Sequence, residues 1–201
     1  MKRKLIYTVL LLLLLAGGFV GWKLLGPATA APERKYFYVR TGASYQDVKK
    51  DLVFLKIIPG EFWFDQVSKK LDYDKSVKAG RYEVKNGMSL LSLVRMLRSG
   101  NQSPVNFVIN KLRTKEDLAA RVGASFECDS LDFIHFINNP DSIKRYRLDS
   151  NTVMTAVIPN TYSLFWNSTP SRIFRKLANE QEKFWNEERE KKAAALGMTP
   201  A

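Results

Sequence analysis

Any catalytic centre in this chain must be built from carboxylates, amides, hydroxyls and aromatic rings. There is one histidine, His135, and one cysteine, Cys128. A Ser-His-Asp arrangement would have to use His135, but that residue sits in the apolar run Phe133-Ile134-His135-Phe136-Ile137 and reads as structural. No G-x-S-x-G elbow accompanies it. A single thiol permits neither an internal disulfide nor C-x-x-C zinc spacing. There is no P-loop and no G-x-G-x-x-G. The sequence gives no reason to expect a metal or an organic cofactor.

General acid catalysis needs a carboxyl group kept protonated, usually in a partly apolar cleft. Glu180, Glu182, Glu187, Glu188 and Glu190 are interleaved with Lys and Arg and read as solvated i,i+4 partners. Asp141 and Asp149 read as loop acids. A binding role suits Asn160, Thr161 and Tyr162, which follow Pro159. Asn and Thr can bond sugar hydroxyls and acetamides, and Tyr162 or Trp166 can stack on a sugar face. The same residues also read as a turn, with Tyr162, Phe165 and Trp166 in the core. At this level both readings stand.

The elements that would position these residues follow a repeated pattern. Phe37 to Leu52 begins as a strand, turns at Gly42 and continues at helical spacing. Tyr82 to Leu97 has the same form, and Phe107 to Val122 follows it more loosely. Ser44, Ser89 and Thr114 occupy equivalent places as N-caps, each accepting from a backbone N–H of the first helical turn. Asp47 and Asp117 lie three residues on, at the positive helix end. Gly42 and Gly87 permit a left-handed turn, a place taken by Leu112 in the third copy. Between the first two copies, Pro59 to Leu71 reads as a helix burying Phe62, Phe64, Val67 and Leu71. Further on, Ser130 is read as the cap of a short helix ending at Asn138. Thr152 to Ile158 reads as a strand closed by Pro159, and Pro170 to Leu196 as one long helix with Ile173, Leu177, Phe184 and Trp185 on its apolar face.

All of this hangs from an apolar N-terminus. Residues 5–25 carry one charge, Lys23, and follow Lys2-Arg3-Lys4. Some twenty apolar residues in a helix rise roughly 30 Å, enough to cross a hydrocarbon core. Cations before the helix favour a cytoplasmic N-terminus, and Trp22 and Lys23 suit the far interface. The bulk of the chain is then expected outside the cytoplasm, on the inner membrane of the cell. Ala28-Thr29-Ala30 resembles a cleavage site, but the run is long for a signal peptide. The chain has 32 basic and 20 acidic residues, a net charge of +12, and keeps about +8 beyond the anchor. In that compartment the charge points to anionic envelope polymers and lipid headgroups rather than nucleic acid.

Taken together, the anchor, the strand–Gly-x-Ser–helix units, Lys78-Ala79-Gly80-Arg81-Tyr82, Met88-Ser89 with Leu97-Arg98-Ser99-Gly100, and Ile158-Pro159-Asn160-Thr161-Tyr162 resemble the endolytic murein transglycosylases, the MltG or YceG-like family. Asn160 and Phe184-Trp185-Asn186-Glu187-Glu188-Arg189 are similar to its Bacteroidetes-type branch. The resemblance implies an α+β fold. Residues 1–26 would be the cytoplasmic N-terminus and anchor, 27–35 a linker, 36–103 a LysM-like region, and 104–201 the first part of the catalytic domain. It also implies a membrane-anchored enzyme that cleaves peptidoglycan glycan strands to 1,6-anhydromuramyl ends. Its partners would be those strands and cell-wall synthesis proteins. The alternative is a non-catalytic glycan-binding or scaffold module of the envelope.

Two stretches depart from the family pattern. Ile109-Asn110-Lys111-Leu112-Arg113-Thr114 stands where many members have I-P-E-G-x-T, and Val153-Met154-Thr155 where many have L-E-G. Any role of the second family carboxylate cannot pass to Met154. The segment bearing the family's catalytic Glu does not occur here, and the resemblance places it just beyond Ala201. Thr199-Pro200 is itself a helix-start signal, so the sequence is expected to continue.

Overall fold

The computed structural model describes residues 2–198. The helix-start reading of Thr199-Pro200 lies outside the described residues. The chain forms a mixed α+β structure of two compact units, residues 1–103 and 104–201.

The first unit begins with helix α1, Lys2–Leu25. Within it, Ile6–Leu25 is long and apolar enough to cross a membrane, a property shared by anchors and signal sequences. Strand β1 (Tyr36–Val39), helices α2 (Tyr45–Phe54) and α3 (Glu61–Lys70), strand β2 (Gly80–Glu83) and helix α4 (Leu90–Ser99) follow. β1 and β2 pair antiparallel, with Phe37 opposite Tyr82. Phe37, Val39 and Tyr82 face a core completed by Leu52, Phe64 and Leu93.

The capped turns form as expected. The Ser44 hydroxyl accepts from the Asp47 N–H, and the Asp47 carboxylate accepts from the Ser44 N–H at 2.9 Å. Thr114 and Asp117 repeat this box in the second unit. Ser89 caps α4 through the Ser92 N–H. Gly42 and Gly87 adopt φ of +81° and +72°, where a Cβ is strained.

Lys49 is buried between α2 and α3, and its ammonium lies 3.0 Å from Glu61 and 3.4 Å from Asp65. The Tyr45 hydroxyl donates to Asp65 at 2.6 Å. A buried cation is tolerable only when paired in this way, and the pairing ties the two helices together. α3 differs from expectation on one face: Phe64 and Val67 are buried, but Phe62 is 65% exposed. The segment after α1 lies along this unit. Ala28 and Thr29 donate to the Met88 carbonyl, and the Gly87 N–H donates to that of Thr29 at 2.8 Å.

The second unit contains strand β3 (Val105–Ile109), helices α5 (Lys115–Ser125), α6 (Ser130–Asn138) and α7 (Pro140–Ile143), and strand β4 (Asn160–Leu164). Helices α8 (Pro170–Phe184) and α9 (Glu187–Ala195) close it. β3 and β4 pair antiparallel from Val105–Leu164 to Ile109–Asn160. Alternate residues Val105, Phe107, Ile109, Tyr162 and Leu164 point into a core shared with Leu118, Phe133, Ile173 and Phe174.

Three expectations are corrected here. Asp129, not Ser130, caps α6, accepting from the Leu131 N–H at 2.9 Å. Thr152–Ile158 is not a strand. The Asp149 carboxylate accepts from the Asn151 and Thr152 N–H groups and winds the chain into a 3₁₀ turn over Val153–Ala156. The strand instead starts after Pro159. Finally, the long terminal helix is two helices: it breaks after Phe184, and the Asn186 side chain caps α9 through the Arg189 N–H. Phe184 is therefore exposed, with the Arg189 guanidinium 4.2 Å from its ring centroid.

Candidate functional site

Three of the four candidate residues, Asn160, Thr161 and Tyr162, lie at the end of the second unit's sheet where β3 finishes and β4 begins; Trp166 lies past the other end of β4. Pro159 cannot donate to a ladder, and the strand pairs from the next residue, Asn160, opposite Ile109. Asn160 and Thr161 are exposed. The Asn160 amide oxygen accepts from the Thr161 N–H at 2.7 Å, which leaves its NH₂ group and the Thr161 hydroxyl facing outward as hydrogen-bonding groups.

Tyr162 takes the inward place of the alternation, opposite Phe107. It is 1% exposed, and its hydroxyl donates to the Ile158 carbonyl at 2.6 Å. Burial pushes its pKa up to about 12. Its ring has no face open to a sugar, so Tyr162 fixes the approach of β4 rather than stacking on a ligand. Trp166 is half-buried against the core of this unit, and its carbonyl accepts from the Glu127 N–H at 2.9 Å. Asn160 and Thr161 thus lie at the exposed edge where β4 starts, on opposite faces of the strand, while Tyr162 is buried two residues on and Trp166 sits beyond the far end of β4.

A cleft of about 360 Å³ opens beside that edge. Ile109 to Arg113 form one wall, and Met154, Val157 and Pro159 the other. The two stretches that depart from the family pattern therefore meet in one place. Sequence reasoning marked Lys111, Arg113 and Met154 as departures but not as site residues; the shared departure was the available signal. Lys111 and Arg113 are exposed, and neither makes an ion pair among the described residues. The cleft combines apolar side chains, among them Ile109, Leu112, Met154 and Val157, with the cations Lys111 and Arg113 and the amide of Asn110. Such a surface can hold a polar, partly anionic chain by hydrogen bonds and charge.

Two acids of this unit, Asp149 and Glu180, are held in the ionised form. Asp149 is held below the ordinary carboxylate range by the Thr152 and Asn151 backbone N–H groups and the Thr152 hydroxyl. Glu180 is held down by Lys176 and Lys183, at 3.0 and 3.1 Å. Glu187 and Glu188 pair with Lys191 and Lys192 on the open face of α9. His135 is exposed on α6. Burial raises the Cys128 thiol to about 11, away from the reactive thiolate. Among the described residues, no group of three or more His, Cys, Asp or Glu side chains could hold a metal ion.

Fold and site together define a two-unit α+β chain behind an apolar N-terminal helix, with a polar and cationic cleft at a sheet end. The sequence pattern of the YceG-like family matches residues 37–201, and the chain belongs to that family. A crystal structure of a protein described as yceG-like, from Listeria monocytogenes, aligns with a TM-score of 0.45 at 20% identity. The alignment covers 84% of this chain and 61% of that one, so the chain spans less than two thirds of that protein's length. No curated protein matches the chain.

Proposed function

We propose that this chain serves a membrane-anchored endolytic lytic transglycosylase, and that its second unit holds the glycan strand. The observation that carries the reading is the cleft beside Asn160 and Thr161, in a chain of the YceG-like family. In this reading α1 is an uncleaved anchor of the inner membrane with its N-terminus in the cytoplasm. Residues 27–35 are the linker and 36–103 the LysM-like region, supported by the order β1–α2–α3–β2 with the two strands paired antiparallel. Residues 104–201 belong to the catalytic domain. Enzymes that build the same wall are its protein partners.

The chemistry of the reading is cleavage followed by ring closure within the same sugar. A protonated Glu donates its proton to the leaving glycosidic oxygen. The glycosidic bond breaks to an oxocarbenium-like muramyl centre, and the 6-hydroxyl of that residue closes onto the anomeric carbon, returning its proton to the Glu carboxylate and leaving a 1,6-anhydro end. Because that nucleophile is internal to the substrate, a second catalytic carboxylate is not required in the way a hydrolase requires it. Asn160, Thr161, Lys111 and Arg113 bind and orient the strand. The acid is assigned to a helix following Ala201.

One observation favours a second reading, a non-catalytic glycan-binding or scaffold module: Asp149 and Glu180 are both held in the ionised form. The test is digestion of purified sacculi by this chain and by a chain continued through the next encoded helix, with products read by mass spectrometry. New 1,6-anhydromuramyl ends should come from the longer protein alone and vanish when its new Glu is changed to Gln. Glycan binding without cleavage by the longer protein, or a stop directly after codon 201, would make the scaffold the better reading.

A further inference from the structure

The first turn of α3 carries a feature that neither the glycan cleft nor the fold explains. Phe62 is 65% exposed and packs edge-on against Trp63, with ring centroids 5.2 Å apart. Phe62 takes no part in the core of the first unit. Trp63 in turn meets Phe19 of α1, at 6.3 Å between centroids. Lys23 lies 5.6 Å from the Phe19 ring. Trp22 and Leu25, near the same end of α1, are exposed. The end of α1 and the start of α3 enclose a cavity of about 320 Å³, lined by Trp22, Lys23, Pro59, Phe62 and Trp63 among others.

The depth follows from helix geometry. Phe19 precedes Leu25, the last residue of the apolar helix, by six positions, or about 9 Å along the axis at 1.5 Å per residue. If Ile6–Leu25 crosses the bilayer with Trp22 and Lys23 at its outer interface, a ring packed on Phe19 lies three to four residues, or about 5 Å, beneath that interface, at the outer end of the acyl chains. Trp is the residue most suited to that boundary, with an apolar ring and one N–H donor. Lys23 can extend its ammonium from there to the phosphates.

We propose that Phe62 and Trp63 are seated in the outer boundary of the phospholipid bilayer, so that the first unit rests on the membrane instead of swinging from a free tether. The inference rests on the reading of α1 as an uncleaved anchor. Its occupant is lipid because the patch is continuous with the apolar surface of α1 and carries Lys23 at its rim, while the one acid there, Glu61, is paired with Lys49.

The test uses the full chain in vesicles of phosphatidylethanolamine and phosphatidylglycerol. Trp22, Trp166 and Trp185 are changed to Phe, leaving Trp63 as the one emitter. Lipids brominated near the headgroup end of the acyl chain should quench its emission, and lipids brominated near the chain terminus should quench it less. A matching variant that keeps only Trp166 should be unaffected by either. Because these variants could be misfolded, the unmodified chain is also photolabelled with a lipid-borne diazirine; adducts should map to Phe62 and Trp63 as well as to α1. If the chain resists alkaline extraction but Trp63 is quenched no more than Trp166 and α3 gains no adduct, the inference is overturned and the anchor stands. If alkaline extraction releases the chain, the anchor reading fails and the inference with it.

Discussion

Asn160 and Tyr162 are two positions apart in sequence neighbourhood and differ completely in role. Asn160 and Thr161 are exposed polar side chains at a strand start, so truncating them should leave the fold intact. Surface changes of this kind usually shift stability by less than about 0.5 kcal/mol. Asn160→Ala and Thr161→Ala should weaken sedimentation with purified sacculi while leaving the denaturation midpoint in place. Tyr162→Phe should do the reverse. It removes a buried hydrogen bond to the Ile158 carbonyl, at a cost of roughly 1 kcal/mol, and should lower the urea midpoint of the second unit. If Tyr162→Phe abolished glycan binding without lowering that midpoint, the tyrosine would be a contact residue after all. The sequence leaves Tyr162 open between core and stacking because the strand is expected over Thr152–Ile158; only once β4 is placed at Asn160–Leu164 does the alternation put Tyr162 and Leu164 on one inward face. What the sequence could not supply was the convergence of Lys111 and Met154, more than forty residues apart, because that depends on the register in which β3 meets β4.

Among the elements, those defined by local side-chain chemistry were the readable ones. Ser44, Ser89 and Thr114 cap their helices through hydrogen bonds that span three residues, so their spacing alone revealed them. Ser44→Ala and Thr114→Ala should each cost about 1 kcal/mol in denaturation experiments. Gly87→Ala should also destabilise, since φ is +72° there, even though a Cβ would meet only Pro27 at 3.6 Å. Acid should act on the same turns. Asp47 is held below its ordinary value by the Ser44 hydroxyl and N–H. A depressed carboxylate contributes stability that is fully present above its unfolded value, about 3.9, and is lost as pH falls through its lower folded value. The melting temperature of the wild type should therefore drop more steeply below about pH 4 than that of Asp47→Asn. The unreadable elements had competing local signals. Val153 and Ala156 are buried three apart, a short apolar run that fits either strand or helix until the Asp149 turn is seen. In the terminal stretch the charges keep helical spacing straight through Trp185, and only the Asn186 cap marks the break.

For the whole molecule, the ordering is anchor, first unit, second unit, and each part has its own test. A reporter fused after Ala201 should be active only if it functions outside the cytoplasm; activity of a cytoplasm-only reporter would reverse the topology. The central structural claim is that glycan is held at the head of the β3–β4 sheet. The most direct measurement is an NMR titration of the isotopically labelled chain in detergent micelles with uncrosslinked peptidoglycan glycan strands. The amide resonances of Lys111, Arg113, Asn160 and Thr161 should shift together and saturate with one affinity, with smaller changes elsewhere in residues 104–198. Shifts confined to residues 36–103, or no saturable shift at the sheet end, would contradict the assignment of the glycan site to this cleft.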